Sequence, residues 1–246
     1  MATLSCALPA AARFAMPSPA PIVNPEQFPE RRSELALRGP AGALECICDV
    51  PEAADARPAT MVICHPHPLH GGTMHNKVVT ILERSMRELG LRTVRFNFRG
   101  VGASAGVHDD GPGETADLLA VCEWVLQTRP GDSLWLGGFS FGAWIALRAA
   151  QQLRLGQLVS IAPPVKRFGF EELARPDCPW LVIQGDRDEV VDIAAVRAWV
   201  AGLSPPPDFV VMEQAGHFFH GRLLDLRGLL QDGVRAQLPP RAAKRG

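Results

Sequence analysis

The feature that most constrains the fold of this chain is a serine between two small residues, at a point where a strand-like sequence gives way to a helix-like one. The run from Gly138 to Gly142 follows an apolar stretch at 133–137 and leads into an alanine-rich stretch at 143–150. A serine at such a sharp turn has an unfavourable backbone conformation, and larger neighbours would collide with the adjacent strand and helix. Its hydroxyl lies at a helix N-terminus, where amide groups favour a developing negative charge. This context predicts that Ser140 is a nucleophile.

A serine hydroxyl becomes strongly nucleophilic only when a base removes its proton, so the chain must also supply a histidine and a group that orients it. Two aspartates, Asp186 and Asp188, follow an apolar strand sequence at 180–184, and His217 follows another strand sequence at 208–213. The carboxyl ends of parallel strands meet at one edge of a sheet. The order serine, acid, histidine therefore predicts a catalytic triad at that edge.

Structural interpretations of the same residues remain open at this point. Asp186 is suited to capping the following helix, and Asp188 could pair with Arg187. His217 could be an ordinary loop histidine. His220, three residues further on, is interpreted as a residue of a helix start or of the pocket rim.

The chain resembles the α/β-hydrolases, and among them the small, lidless serine hydrolases related to dienelactone hydrolases and short-chain esterases. The resemblance rests on stretches at 64–74, 96–104, 138–142, 185–191 and 215–217. It implies an α/β fold with a mostly parallel central sheet, helices on both faces and no substantial cap domain. It also implies that Asp188, in a Gly-x-x-Asp-x-x-Val pattern, is the acid that acts with Ser140 and His217.

Acyl transfer also needs N–H donors directed at the oxyanion of a tetrahedral intermediate. The backbone N–H of Phe141, the residue after the nucleophile, is predicted to be one donor. The resemblance places the other in the loop at 65–69, where the two prolines have no N–H and only His67 or Leu69 is left. By analogy with the His-Gly-x loop of the family, we favour the backbone of His67. Pro66 departs from that pattern, because the family often has glycine there.

Two further motifs are interpreted as structural. Four histidines cluster in sequence, but prolines fix the backbone between the first two and no cysteine or acid pair stands at a ligand spacing, so we predict no metal site. They are His65, His67, His70 and His75, and we expect their imidazoles to form hydrogen bonds within the loop and to line the pocket. Arg99 precedes a glycine-rich turn without the context of a phosphate loop, and we interpret it as an ion-pair or hydrogen-bond anchor. No cofactor is predicted.

Strand and helix sequences alternate along the chain, which predicts a parallel sheet covered on both faces. The expected strands are 33–38 and 43–49 (a hairpin), 59–64, 91–97, 133–137, 157–161, 180–184 and 208–213, and the expected helices are 75–89, 113–128, 143–150, 190–202 and 219–235. In the family that the chain resembles, lids are commonly inserted after the strand at 157–161, but here only 162–179 precede the next strand. We therefore expect an open, shallow pocket, with walls formed by Leu69, Phe141, Val165 and Phe168.

Composition bounds the remaining possibilities. The 246 residues, 47% of them hydrophobic, suffice for one α/β domain with a large core. The net charge is −1 and the basic residues are scattered, so the electrostatic footprint of nucleic-acid binding is missing. The sequence contains no run of about 18 uncharged apolar residues, so no membrane span is predicted. Six cysteines in a chain of this length do not suggest a disulfide scaffold, and a cytoplasmic location is expected.

Three segments are predicted along the chain. Residues 1–30 form a flexible arm rich in proline and alanine, 31–237 form the catalytic domain, and 238–246 form a basic, disordered tail. The sequence leaves the oligomeric state open.

The predicted function is that of a serine hydrolase, which cleaves small acyl esters or thioesters through an acyl-enzyme intermediate. One alternative is a non-catalytic scaffold that binds a partner through its proline-rich arm. Within the hydrolases, a lactone hydrolase or a peptidase is also open, although dienelactone hydrolases typically carry cysteine where this chain has Ser140.

Overall fold

An eight-stranded, mostly parallel sheet runs through the part of the chain that the computed structural model describes, residues 24–241. Its strands are β1 (Ser33–Gly39), β2 (Gly42–Asp49), β3 (Ala59–Cys64), β4 (Arg92–Phe96), β5 (Ser133–Phe139), β6 (Gln157–Ile161), β7 (Trp180–Gly185) and β8 (Asp208–Met212). The helices are α1 (Lys77–Glu88), α2 (Pro112–Thr128), α3 (Phe141–Ala150), α4 (Ile193–Ala201) and α5 (Leu223–Val234). The predicted alternation of strands and helices is thus confirmed.

The order of the strands across the sheet is β1-β2-β4-β3-β5-β6-β7-β8. β1 and β2 form the expected antiparallel hairpin, and β2 also runs antiparallel to β4. All the other neighbours are parallel, so β3 to β8 end at the same edge of the sheet. β5, which leads into Ser140, lies between β3 and β6 in the interior of the sheet.

Two hydrophobic cores cover the two faces of the sheet. Successive residues of a strand point to opposite faces, so Met61 and Ile63 of β3 enter one core while Val62 enters the other. α2, α3 and α4 pack against the first face, and α1 and α5 pack against the second. Every residue of β3 and of β7 is buried, as is expected for parallel strands covered on both sides.

Helix starts differ from the sequence-based expectations where side chains cap the helix. α1 begins at Lys77 rather than at 75, because the side chain of Asn76 accepts the N–H of Val78 at 2.8 Å. α4 begins at Ile193 rather than at 190, because Asp192 caps it by accepting the N–H of Ala194 at 2.9 Å. Asp186, which the sequence suggested as a cap, is exposed and lies before this helix.

The last helix starts later than expected for a different reason. The loop after His217 contains Phe219 with φ 52° and Gly221 with φ 72°, two left-handed residues that interrupt a helix. α5 therefore begins at Leu223 rather than at 219.

No inserted cap domain stands over the carboxyl edge of the sheet within residues 24–241. The segment 162–179, between β6 and β7, contains one short 3-10 turn, Phe170–Glu172. The predicted absence of a substantial cap is confirmed for this part of the chain. Over the same range, none of the helices combines the length and the hydropathy needed to cross a bilayer.

The end of the predicted N-terminal arm packs against α2. Phe28 is buried and stacks on Trp124 with ring centroids 5.4 Å apart, and the indole N–H of Trp124 donates to the Pro25 carbonyl at 2.9 Å. Residues 1–23 and 242–246, which hold most of the predicted arm and the end of the predicted tail, lie outside the described residues. The boundaries proposed at residues 30 and 237 stay predictions.

Candidate active site

Ser140 stands at a strained turn between β5 and α3. Its backbone has φ 54° and ψ −121°, a conformation that L-residues rarely adopt. A Cβ atom on Gly138 would lie 2.1 Å from the carbonyl oxygen of Gly142, and one on Gly142 would lie 2.5 Å from the carbonyl oxygens of Cys64 and His65. Both glycines are therefore required by close backbone approaches, as the sequence predicts, and the turn holds Ser140 above the ends of the strands.

This packing predicts opposite stability effects for two glycine-to-alanine substitutions. Gly138→Ala should lower the free energy of unfolding by about 2 kcal/mol or more, because the new methyl group meets backbone atoms that cannot move aside. Gly228→Ala in α5 is the matched control, since nothing lies within 4 Å of its added Cβ, and it should raise stability by about 0.5–1 kcal/mol. Urea unfolding of both variants tests this, and an equal effect at the two sites would contradict it.

The structure brings Ser140, His217 and Asp188 together in a hydrogen-bonded row. Ser140 Oγ lies 3.1 Å from His217 Nε2, and His217 Nδ1 lies 2.8 Å from Asp188 Oδ2. The residues come from the ends of β5, β7 and β8, three strands that finish at the same edge of the sheet. Ser140 keeps 9% of its surface exposed and His217 keeps 3%, so the hydroxyl is the accessible end of the row.

The carboxylate of Asp188 is held by more partners than the sequence suggested. Its Oδ1 accepts the backbone N–H groups of Val190 and Val191 at 2.8 and 2.7 Å. Its Oδ2 accepts the side-chain amide of Gln184 at 2.8 Å, besides the His217 ring. Burial raises the pKa of this carboxyl, but the hydrogen bonds from His217 and from the backbone outweigh burial, and the pKa lies below its usual range. Asp188 is therefore ionised at neutral pH.

His217 is fixed in ring orientation and in backbone position. Because the ionised Asp188 can only accept hydrogen bonds, Nδ1 carries the ring hydrogen and Nε2 presents a lone pair to Ser140. The backbone N–H of His217 donates to the carboxylate of Glu189 at 3.1 Å, and the rings of Phe139 and Phe218 each lie 5.0 Å from the imidazole. The sequence pointed to neither Gln184 nor Glu189, since both act through contacts across loops.

Two backbone N–H groups near Ser140 have no acceptor within residues 24–241. One belongs to Phe141, the first residue of α3, and the other belongs to His67. The N–H of Leu69, the alternative donor, is occupied because it donates to His67 Nδ1 at 3.2 Å. Gly72 supports this loop, since its N–H donates to the His67 carbonyl at 3.0 Å. Phe141 and His67 are the residues that the sequence favoured as oxyanion donors, and this role stays a prediction.

The buried side chain of His65 supports the loop at 65–69. It is fully buried, its Nδ1 donates to the Pro66 carbonyl at 2.6 Å and its Nε2 accepts the N–H of Phe98 at 3.0 Å. Burial lowers its pKa to about 4, so the ring is neutral at neutral pH. Both ring nitrogens are occupied, so His65 is a structural support and has no lone pair left for a metal.

Arg99 is an ion-pair anchor, as the sequence predicted. Its guanidinium makes two parallel hydrogen bonds to Asp117, from Nε to Oδ2 at 3.0 Å and from Nη2 to Oδ1 at 2.8 Å. Its backbone N–H also donates to Asp117 Oδ2 at 3.0 Å, so the glycine-rich turn at 100–102 is tied to α2.

A cavity of about 250 Å³ opens at Ser140. The prediction of its walls was wrong for two of the four residues. Phe141 and Phe168 line the cavity, but Leu69 and Val165 do not. Leu69 lies in the 3-10 turn Pro68–His70 and turns outward, with 70% of its surface exposed. Val165 packs inward against the first core and borders a separate surface groove.

Of the histidine cluster that was expected to line the pocket, His67 and His70 do so, while His65 and His75 do not. The other wall residues come mostly from loops that the sequence does not mark as pocket residues. The lining consists of Pro66, His67, His70, Gly71, Gly72, Asn76, Ser140, Phe141, Pro164, Arg167, Phe168, Val190, His217 and Phe218. Most of the lining surface is apolar, and the lining also contains a few polar groups, among them Ser140 and His217. This is the composition of a small-molecule site.

Comparisons with known proteins identify the family of this chain. The family model described as the alpha/beta hydrolase domain matches residues 58–228. An uncharacterized protein from Rickettsia prowazekii is 32% identical over 209 residues, which are 81% of this chain and 87% of that protein.

Solved structures of similar proteins have the same fold. A Xanthomonas campestris protein, described as an a/b serine hydrolase without lid, is 52% identical with a TM-score of 0.85 and covers 88% of this chain and 99% of its own. An alpha-beta serine hydrolase homologue from Coxiella burnetii is 50% identical with a TM-score of 0.82, over 85% of this chain and 100% of its own. The chain therefore belongs to the α/β-hydrolase superfamily.

Proposed function

We propose that this hydrolase is a serine hydrolase that cleaves small carboxylic esters or thioesters through an acyl-enzyme intermediate. Ser140 is the nucleophile, His217 is the general base and acid, and Asp188 orients the imidazole. The observation that carries the proposal is the hydrogen-bonded row from Asp188 through His217 to Ser140 at 2.8 and 3.1 Å. Such a row has the roles and the geometry of an acyl-transfer triad.

In the first half of the reaction, Ser140 Oγ attacks the carbonyl carbon while His217 Nε2 takes its proton. The carbonyl oxygen becomes an oxyanion and accepts the N–H groups of Phe141 and His67, which are free to donate. When the intermediate collapses, His217 returns the proton to the leaving alcohol or thiol, and the acyl group stays on Ser140. Water then attacks the acyl-enzyme by the same steps, and the carboxylic acid leaves.

The size and openness of the cavity favour small substrates. A volume of about 250 Å³ lies below the usual range for sites that enclose drug-sized ligands. Phe168, Phe141 and Phe218 supply apolar walls for a short acyl chain. A lactone or a peptide bond could meet the same catalytic groups, so these substrate classes are the alternatives within the hydrolases.

A non-catalytic scaffold is the alternative from a different class of protein. Such a scaffold would not need a hydroxyl that reaches the cavity, an ionised acid and a histidine with its lone pair directed at that hydroxyl. The strain at Ser140, with φ 54°, is also a cost that a scaffold would have no reason to keep.

Labelling with a fluorophosphonate tests whether Ser140 is activated. The probe reacts with activated serines, so we expect one modified peptide, containing Ser140, in mass spectrometry of the digested protein. A parallel panel of 4-nitrophenyl esters from acetate to laurate should show the highest kcat/KM for the short chains. A folded protein that is neither labelled nor active on any ester would refute the proposal and favour a scaffold.

A further inference from the structure

The cavity at Ser140 has a positive charge that the proposed hydrolysis of a neutral ester does not use. Arg167 lines the cavity, and no Asp or Glu is among the lining residues described within 24–241. The nearby imidazole of His67 does not add a charge, because burial and the neighbouring rings of His108 and His70 hold its pKa below the usual value. Arg167 is thus the permanently charged group of this site.

Arg167 differs from its neighbour Lys166 in having no acidic partner. Lys166 forms an ion pair with Asp192, with Nζ 2.5 Å from Oδ2. The guanidinium of Arg167 makes neither an ion pair nor a hydrogen bond with any residue in the described range 24–241. An arginine has five N–H donors in a planar fork, so its hydrogen-bonding capacity is left for solvent or for a ligand.

The backbone that carries Arg167 is held at the rim of the cavity. Its N–H donates to the Pro164 carbonyl at 2.8 Å. The next residue, Phe168, stacks on Trp144 with centroids 4.9 Å apart and an interplanar angle of 28°, and it meets Phe141 edge-on at 5.3 Å. This packing fixes the backbone at Phe168, the residue next to Arg167.

Asn76 provides a second free donor to the same cavity. Its Oδ1 is occupied in capping α1, where it accepts the N–H of Val78 at 2.8 Å. This contact determines the orientation of the side-chain amide, so that its NH₂ group is left without an acceptor among residues 24–241. Asn76 and Arg167 both line the cavity that contains Ser140.

We propose that the substrate carries a carboxylate besides the bond that is cleaved, and that Arg167 binds this carboxylate with Asn76 as a second donor. The inference deepens the proposed function and rests on it. One unpaired guanidinium matches a single negative charge, and its two parallel N–H donors match the two oxygens of a carboxylate. The carboxylate can belong to the acyl group or to the leaving group, since both would occupy this cavity during the reaction.

Two pairs of esters test whether the carboxylate belongs to the acyl group or to the leaving group. Each pair consists of a carboxylated ester and a neutral ester of similar size. For the acyl side, the pair is mono-4-nitrophenyl glutarate and 4-nitrophenyl pentanoate, with uncatalysed hydrolysis subtracted. For the leaving group, the pair is 4-acetoxybenzoate and its methyl ester. The readout is the ratio of kcat/KM for the carboxylated ester to kcat/KM for the neutral one, measured for wild type and for Arg167→Met, Arg167→Lys and Lys166→Met.

We expect the ratio to fall about tenfold in Arg167→Met for one of the two pairs, because one charge-assisted contact at a solvent-exposed site is lost. Arg167→Lys should keep part of the preference, and Lys166→Met should match wild type because its charge is already paired. Adding salt should reduce the wild-type ratio, since the contact is open to screening.

The ratio separates the two proposals. If the neutral esters are turned over but Arg167→Met leaves the ratio unchanged in both pairs, the carboxylate site is overturned and the proposed function stands. If the ratio falls equally in Arg167→Met and in Lys166→Met, the carboxylate site is also overturned, because general surface charge would then explain the preference for the carboxylated ester. Failure of wild type on every ester in both pairs would overturn the proposed function, and the carboxylate site with it.

Discussion

Replacing Ser140 by alanine should lower kcat for ester hydrolysis by a factor on the order of 10³ or more, with the fold intact. The substitution removes the oxygen that is proposed to attack the carbonyl, and within residues 24–241 no other hydroxyl lies in the hydrogen-bonded row with His217 and Asp188. The residual rate would come from binding and from the N–H donors alone. The measurement is kcat on 4-nitrophenyl acetate, with circular dichroism and thermal melting to verify folding.

Ser33→Ala is the matched control, because this serine lies on β1 and its hydroxyl donates to the Arg31 carbonyl at 2.9 Å. It should keep the wild-type kcat. The double variant Ser140→Ala with His217→Ala tests whether the two residues act as a unit, and it should be about as slow as Ser140→Ala alone. A Ser140→Ala protein that retained most of its turnover would rule out the acyl-enzyme mechanism.

The sequence could predict the fold and the row of three residues because both depend on short-range patterns. Gly138 and Gly142 signal a turn that tolerates no side chain, and the apolar strands before Asp188 and His217 put both residues at one edge of the sheet. Each of these inferences needs only a few consecutive residues and the rule that parallel strands share an edge.

The pocket walls could not be predicted in the same way, because they depend on which way a loop residue turns. Val165 and Phe168 stand three residues apart in one loop, yet Val165 enters the core while Phe168, with φ 66°, turns back over Trp144. Nothing in the local sequence marks that left-handed residue, since φ above zero is rare for a phenylalanine. The same holds for Leu69, whose turn directs it outward.

The residues that support the hydrogen-bonded row cannot be predicted from the sequence, because they act through contacts between loops. Gln184 ends the strand sequence before Asp188, and its role appears only when its side chain is seen to donate to Asp188 Oδ2. Glu189 reads as one more acid in a charged loop, but it accepts the N–H of His217, 28 residues away. A sequence reports that a polar residue is present, and only the fold decides which partner it meets.

Replacing Asp188 by asparagine should lower kcat at pH 7 by about 10⁴, which is the loss that the same substitution causes in a well-characterised Ser-His-Asp triad. The N–H groups of Val190 and Val191 would hold the amide oxygen at the position of Oδ1. The NH₂ group would then face His217 Nδ1, which would have to accept rather than donate. The ring hydrogen would move to Nε2, where it blocks removal of the Ser140 proton.

Asp186→Asn is the matched control for Asp188→Asn, since it removes the same charge two residues away on an exposed side chain. It should leave kcat within about twofold of wild type, because surface charges away from the reacting groups have small effects. In Asp188→Asn, the side-chain NH₂ group of Gln184 would face the NH₂ group of the introduced asparagine, so two donors would meet and this variant should lose some stability. Urea unfolding measures that loss of stability separately from the loss of kcat. Equal losses of kcat in both variants would mean that net charge, and not the tautomer of His217, governs the rate.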